Sequence, residues 1–313
     1  MPVNLSRDSK VYVAGHQGMV GRALCRALEE AGFANITGQT HAELDLREKD
    51  ATEAYLRAEQ PDVIIIAAAK VGGIDANRTQ PADFLLENQQ IQTNLIQGAH
   101  QYGVSKLLFL GSSCMYPRLA DQPMQEDSLC NGPLEPTNEG YATAKIAGWK
   151  LCQAYRNQYG CDFITAIPTN LYGLYDHYEP GRSHVIPALI SKYHQAKADN
   201  EPAVTNWGTG SPQREFLNVD DAAAGCVHLL DHYSSTEPIN IAGGTEFTIR
   251  DLNEKVAELT GYSGEVKWDN EKPDGMPRKL LDGSRLQAMG WKPKIDFEAG
   301  LRQAYEDYLE RVI

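Results

Sequence analysis

Tyr141 and Lys145 stand four residues apart in Tyr-Ala-Thr-Ala-Lys, and that spacing puts both on one face of a helix. An ammonium beside a phenol favours the phenolate, which would lower the tyrosine pKa and make it a usable acid or base near neutrality. Upstream, Leu107-Leu-Phe-Leu-Gly111 reads as a strand ending in Ser112-Ser113-Cys114. A serine hydroxyl at such a strand end can orient a reacting oxygen. Nearer the N-terminus, Gly15-x-x-Gly18-x-x-Gly21 follows the strand-like run Lys10–Ala14. Glycines there permit a tight turn and close approach of a pyrophosphate, and the next helix offers unpaired N–H groups. Alone, each pattern has an ordinary explanation, a structural turn or a helix-surface pair. Their order along one chain points to acid–base chemistry beside a bound dinucleotide.

These groups need a scaffold, and the hydrophobic pattern predicts one. After the first strand and glycine loop comes a helix over Val20–Ala31, then a short strand over Ala34–Gly38. Asp50–Glu59 is helical and Asp62–Ala69 is an apolar strand, the continuous kind that suits a sheet covered on both faces. Helices over Ala82–Tyr102 and Glu139–Tyr159 alternate with strands over Lys106–Leu110 and Phe163–Ile167. This alternation predicts an α/β fold, a Rossmann-type doubly wound parallel sheet. Beyond about residue 170 the rhythm changes, with helices expected at Val185–Ala198, Val219–His232, Ile249–Thr260 and Phe297–Val312. We expect a dinucleotide-binding domain over residues 1–170, with a later contribution from about 215–245. A smaller α/β substrate-binding region should occupy most of 171–313.

Bulk properties narrow the field. A chain of 313 residues, 42% hydrophobic, can bury a sizeable core. The formal charge of −13 argues against a nucleic-acid partner, which would need a basic surface. No apolar run approaches the roughly 18 residues of a membrane span, and Met1–Lys10 lacks a signal-peptide core. A cytoplasmic location is the expectation. The six cysteines form no Cys-x-x-Cys pair, so free thiols and no metal site are expected.

The glycine loop, serine strand end and Tyr-x-x-x-Lys helix together resemble the extended short-chain dehydrogenase/reductase family. Longer stretches are more specific. Ala67-Ala-Ala-Lys-Val-Gly-Gly-Ile74, Gly111-Ser-Ser-Cys-Met-Tyr-Pro117, Leu134-Glu-Pro-Thr-Asn138, Pro168-Thr-Asn-Leu-Tyr-Gly173, Ser183-His-Val-Ile-Pro-Ala188, Arg214-Glu-Phe-Leu217 and Lys272–Lys279 resemble the GDP-L-fucose synthase branch of that family. The resemblance covers nearly the whole chain. It implies a GDP-sugar substrate, NADPH as reductant and a homodimer. The implied reaction inverts carbons 3 and 5 of GDP-4-keto-6-deoxy-D-mannose and then reduces the carbon 4 ketone.

On this resemblance Tyr141 is the acid for reduction, Ser112 holds the same oxygen and Lys145 anchors the nicotinamide ribose. Cys114 becomes the base for epimerisation and His184 the acid. From the residues alone, Cys114 reads equally as a buried thiol and His184 as a helix-start residue. Cofactor contacts are expected from Gly15, His16, Gln17, Gly18, Met19, Val20 and Gly21, then from His41, Asp45 and Leu46. Leu110, Gly111, Ser112 and Ser113, with Pro168, Thr169, Asn170, Leu171, Tyr141, Lys145 and His184, complete that set. Asp45 could accept from the adenine amino group or simply form a turn. Lys192, Trp207, Arg214 and Asp274 fall at substrate-binding positions, where an arginine and a lysine suit a diphosphate.

Two departures stand out. NADP-preferring relatives can carry arginines where this chain has Gln17 and His41, and some relatives carry an arginine where it has Lys192. No acidic residue in Gln39-Thr-His41 favours NAD, so NADP remains the expectation. Competing readings are an epimerase that only cycles its cofactor, a colitose-forming relative, a dehydratase, or a non-catalytic NAD(P) sensor. Cys114 with His184 argues for epimerisation, and the intact Ser112, Tyr141 and Lys145 argue against a sensor.

Overall fold

The computed structural model describes residues 5–179, 183–272 and 274–313. Pro273, within the Lys272–Lys279 stretch, lies outside the described residues. The first half of the chain runs β1 (Lys10–Ala14), α1 (Met19–Glu30), β2 (Asn35–Thr37), α2 (Lys49–Glu59), β3 (Val63–Ile66), α3 (Ile74–Thr79), α4 (Pro81–Gln101), β4 (Lys106–Leu110), α5 (Glu139–Tyr159) and β5 (Phe163–Pro168). The second half runs β6 (Asn170–Tyr172), α6 (Val185–Ala198), β7 (Ala203–Trp207), β8 (Gln213–Asn218), α7 (Val219–His232), β9 (Ile239–Ile241), β10 (Thr245–Thr248), α8 (Ile249–Thr260), β11 (Glu265–Asp269), β12 (Arg278–Lys279), α9 (Ser284–Ala288) and α10 (Phe297–Arg311).

Six strands form the main sheet in the order β2-β1-β3-β4-β5-β9, every neighbouring pair parallel. This is the doubly wound α/β architecture expected. Side chains alternate across it. Val11 and Val13 pack into one core with Ala23, Leu24 and Leu28 of α1 and with Ala222, Leu229 and Leu230 of α7. Tyr12 and Ala14 face another, with Leu56 of α2, Leu95 of α4 and Trp149 of α5. Both faces are dry, which is why β3 and β4 read as unbroken apolar runs. Each fully buried aliphatic side chain contributes about 1.5–3 kcal/mol.

The strand order reverses between β1 and β3, so the chain leaves the two strand ends in opposite directions and opens a crevice there. β3 stops at Ile66 rather than at the expected Ala69. The amide of Ala67 still bonds the Ala14 carbonyl at 3.0 Å. Beyond it the Gly15 turn presses on Ala68 and the chain bends away.

A second sheet is built on β8. β10 pairs it antiparallel on one side. Its other edge is shared, β6 taking Phe216–Asn218 and β12 taking Gln213–Arg214, both parallel. A separate parallel pair joins β7 and β11. The third core lies beneath, from Ile190 and Tyr193 of α6, Leu252 and Val256 of α8, and Leu301 and Tyr308 of α10. After β8 the chain returns, α7 packing near α1 and β9 extending the main sheet. We propose the domain division on that basis: residues 1–170 with the α7–β9 return, and the remainder of 171–313 as the second region. No helix among the described residues is long and apolar enough to cross a membrane. Among the same residues no cluster of His, Cys, Asp and Glu could hold a metal ion.

The connection from β6 to α6 carries His184 and is tied to α10. Asp307 Oδ2 accepts from the Tyr175 amide at 3.1 Å and from the Tyr178 hydroxyl at 3.2 Å, and Arg311 donates to the Asp176 carbonyl at 3.0 Å. The Asp176 carboxyl is buried; one oxygen accepts from the His177 amide at 2.7 Å and the other has no partner. Burial, with the charge of Asp307 adding, pushes this carboxyl up to about 7, against the His177 hydrogen bond and Arg311. Its proton is thus held more tightly folded than unfolded. The stability it contributes is present below the unfolded value near 4 and is lost as pH rises to about 7. Asp176→Asn should therefore change the melting temperature in a pH-dependent way, gaining on the wild type between pH 5 and pH 8. Parallel melting curves at pH 5 and pH 8 that shift equally would rule this out.

Candidate active site

The glycine loop closes the mouth of the main sheet. Gly15 adopts φ +86°, and its α-carbon lies against Ala68, where a side chain would stand 2.7 Å from the Ala68 amide nitrogen. A Cβ on Gly21 would collide with the Gly15 carbonyl, so this glycine lets α1 begin directly on the turn. Gly18 differs. Its nearest neighbour to an added Cβ is the Gly15 oxygen at 3.5 Å, which is ordinary contact. Gly18 is also the N-cap of α1 and supplies no side-chain acceptor. The first-turn amides, Met19 and Val20 among them, are thus left for an outside acceptor, the anion-binding arrangement of a helix start. His16 lies against Gly38 at the end of β2, its Nδ1 buried without a partner.

Farther along the same edge, Asp45 is already engaged. The Arg47 guanidinium grips it through Nε at 2.9 Å and Nη2 at 2.7 Å, and the Arg47 amide bonds Oδ1 at 3.0 Å. Hydrogen bonding by Arg47, with its charge and that of His41 adding, holds the carboxyl down at about 2. Asp45 is therefore an ion-pair partner of Arg47 in this structure. Arg47 also reaches Glu87 at 3.0 Å and stands 3.5 Å from His41 Nε2. A guanidinium thus lies near the end of β2, where the residues Gln39–His41 contain none. Leu46 is buried in the core on the α4 side.

The reactive groups meet where β4, α5 and the second sheet converge. Lys145 lies buried on α5, donates to the Leu110 carbonyl at 2.8 Å, and stands 5.8 Å from the Tyr141 ring centre. Burial lowers its pKa to about 8. Gly111 and Ser113 are buried beside Ser112, whose hydroxyl accepts from the Cys114 amide at 3.2 Å. Tyr141 is raised, not lowered: burial dominates, the charge of Cys114 adds, and the Ser112 hydrogen bond only partly opposes. This corrects the expectation of a depressed phenol. The ammonium that would depress it is spent on a carbonyl, and the phenol keeps its proton through neutral pH.

Cys114 is half-exposed and receives two donors, Asn138 Nδ2 at 3.2 Å and Lys279 Nζ at 3.4 Å. Asn138 is the N-cap of α5, yet its side chain caps nothing and turns to the sulfur instead. Lys279 comes from β12, where it pairs in register with Arg214 of β8. In-register parallel partners point to the same face, so both cations project together. His184 occupies the N-cap position of α6 with an exposed surface, and its side chain makes no cap bond. Partial loss of water around the ring lowers its pKa, and the charges of Lys279 and His177 add to that.

Pro168, Thr169, Asn170 and Leu171 carry the chain from β5 into β6. Asn170 fastens to the Glu215 carbonyl at 2.7 Å, and the buried Thr169 hydroxyl has no partner. At the outer end, Trp207 is 72% exposed on β7. Lys192 is tied to the Thr205 carbonyl at 2.6 Å and to Asn206 at 2.8 Å. Asp274 accepts from the Thr209 amide at 3.0 Å and hydroxyl at 2.8 Å, joining two loops. Arg214 is half-buried, with the charges of Glu135, Asp274 and Cys114 around it.

Lys279, Asn138 and Arg47 carry no role in the sequence reading. Lys279 and Asn138 lie inside stretches singled out there, but a two-residue strand and an idle helix cap leave no periodic signal. Arg47 sits nine residues past the end of the expected strand and is held to Asp45.

The family model described as the NAD dependent epimerase/dehydratase family matches residues 11–242. The chain belongs to that family. A probable GDP-L-fucose synthase 1 of Oryza sativa subsp. japonica is 56% identical over 98% of this chain and 94% of the relative. The GDP-L-fucose synthase of Escherichia coli K12 is 50% identical over 96% of this chain and 97% of the relative. Among solved structures, a GDP-mannoheptose C4 reductase from Campylobacter jejuni with NADP bound superposes with a TM-score of 0.87. It is 34% identical over 98% of this chain and 100% of its own.

The residues fit a dinucleotide: a glycine turn with an open helix start, and two buried polar atoms, on His16 and Thr169, awaiting a partner. Gly18→Ala should leave the melting temperature within a few degrees of wild type. It should weaken dinucleotide binding, read by fluorescence titration, at least about tenfold, or roughly 1.4 kcal/mol. Gly21→Ala, by contrast, should lower the melting temperature itself. Wild-type affinity in a folded Gly18→Ala variant would refute this assignment of the loop.

Proposed function

We propose that the chain converts GDP-4-keto-6-deoxy-D-mannose to GDP-L-fucose, epimerising carbons 3 and 5 and reducing carbon 4 with NADPH. The observation that carries this reading is Cys114, held by Asn138 and Lys279 close enough for its charge to act on Tyr141. A simple reductase needs Ser112, Tyr141 and Lys145. It has no use for a second proton-transfer group beside them. The full-length similarity to GDP-L-fucose synthases supports the same substrate.

The chemistry follows from what each residue can do. The Cys114 thiolate takes the proton from the carbon beside the ketone, and the electron pair moves onto the carbon 4 oxygen. Ser112 and the Tyr141 phenol hydrogen-bond that oxygen as charge develops. His184 returns a proton to the opposite face, inverting the centre. Thiol and imidazole then exchange protons with water, and the cycle repeats at the other carbon. In the reductive step NADPH, when bound, supplies the hydride. Tyr141 gives its proton to the oxygen, and its raised pKa keeps it in the required acid form. Lys145 would hold the ribose, Arg214 and Lys192 the diphosphate, Trp207 the nucleoside face and Asp274 the loop that borders them.

NADP is preferred over NAD in this reading because no carboxylate is free at the end of β2, Asp45 being neutralised by Arg47. The six cysteines, none in a disulfide, support a reducing cytoplasm. A homodimer, which the resemblance implies, belongs to the same reading.

NMR analysis of the product from the keto-sugar and NADPH tests the whole reading, and recovery of a reduced but unepimerised sugar would overturn it. Tyr141→Phe should cut reduction by about 10²–10⁴ while solvent deuterium still enters carbons 3 and 5. Cys114→Ser should do the reverse, losing deuterium exchange first. Exchange at the wild-type rate in Cys114→Ser would remove that residue as the base.

A further inference from the structure

We propose that Lys279 is a positioning residue for proton abstraction, its ammonium holding the Cys114 sulfur as a thiolate aimed into the cleft. The inference rests on the role given to Cys114 above. A thiol cannot accept a proton from carbon, and an ordinary cysteine near neutral pH is only a few per cent thiolate. Something must shift that balance. The groups facing the sulfur are Lys279, Asn138, Arg214 and Tyr141. Tyr141 is a neutral phenol and Asn138 an uncharged donor. Arg214 is shared with the carboxylates of Glu135 and Asp274. Lys279 is the cation that donates directly to the sulfur, and its hydrogen bond to Cys114 is the one its ammonium makes among the described residues. It is 8% exposed, so water screens the pair poorly.

The backbone makes this placement robust. β12 is held by its ladder to β8, with Lys279 opposite Arg214. Arg278, the alternate residue, turns away to bind Glu246 through two hydrogen bonds of 2.7 and 2.8 Å. The pleat therefore commits one cation to structure and delivers the next to the sulfur.

The same charge has an opposite effect across the site. Desolvation of the His184 ring opposes its protonation, and the charges of Lys279 and His177 add to that. One ammonium thus favours the base on Cys114 and resists the cation on His184. His184 acquires its proton from solvent before it can deliver one. Between the two epimerisations the Cys114 thiol must lose the proton it took, and Lys279 favours that loss.

Two measurements on the free enzyme test this without relying on turnover. Alkylation of Cys114 by iodoacetamide, followed by peptide mass mapping to separate it from the other five cysteines, should slow about tenfold at pH 7 in Lys279→Gln. Its pH profile should move alkaline, and Lys279→Arg should restore the rate. The imidazole signal of His184, followed by NMR, should titrate at higher pH in Lys279→Gln than in wild type. A generally loosened site would expose Cys114 and speed alkylation, the opposite sign. An unchanged alkylation profile in folded Lys279→Gln, or in Lys279→Met should the first variant fail to fold, overturns the proposal. Loss of GDP-sugar turnover in wild type with these shifts intact would instead strike the substrate reading and leave the role of Lys279 standing.

Discussion

The buried ammonium of Lys145 on the Leu110 carbonyl is the contact on which the site's geometry depends. It joins the second turn of α5 to the last residue of β4. Tyr141, one turn earlier on α5, and Ser112, two residues past β4, are thereby brought together. Burying an ammonium is costly, and a single neutral carbonyl offsets only part of that cost. The strain shows in the fall of the lysine pKa to about 8. A second acceptor, such as a ribose hydroxyl pair, would relieve it. The fold thus presents a buried cation at the place where, on the proposed reading, a dinucleotide would cross the sheet. Close packing supports the arrangement: Gly148 lets α5 lie against Phe109, and Gln92 of α4 donates to the Ala144 carbonyl at 2.6 Å.

Much of the architecture is legible in the sequence because its elements are long or fully apolar. The spans of α5, α6, α7 and α8 coincide with the periodic segments, and β4 with its apolar run. The second sheet is not legible. β6 and β12 have three and two residues, too few for any period to register. Their existence depends on β8 offering one edge to two partners, a tertiary fact. The same holds at the site. Glycine spacing and Tyr-x-x-x-Lys are local patterns and can be read. The partners of Cys114 come from residues 138 and 279, and nothing local announces that they meet.

The reversed direction of the Tyr141 shift shows why a pairwise rule can mislead. Sequence places a cation four residues from a phenol and predicts attraction. The fold adds dehydration, a nearby thiol and a carbonyl that accepts the cation's hydrogen bond. Dehydration wins, because removing water disfavours the phenolate more than an ammonium engaged elsewhere can favour it. For a reductase this direction is the useful one. The group must donate a proton as charge arrives on oxygen, and a phenol that stays protonated is ready at any neutral pH.

The two halves of the site therefore ask opposite things of electrostatics, and the fold separates them by sheet. The main sheet and α5 supply an environment that keeps Tyr141 neutral. The second sheet projects Arg214 and Lys279 from paired positions into the side where Cys114 lies. A chain of net charge −13 concentrates cations at one junction between two sheets. Such local focusing inside an acidic protein attracts a diphosphate without making the surface generally basic. On the roles proposed above, substrate-binding charge and base-activating charge share one strand register. A one-residue slip of β12 would exchange Arg278 for Lys279 and send the wrong cation to Glu246. The bidentate Arg278–Glu246 pair thus fixes the register that aims Lys279, and stability and chemistry at this edge cannot be varied independently.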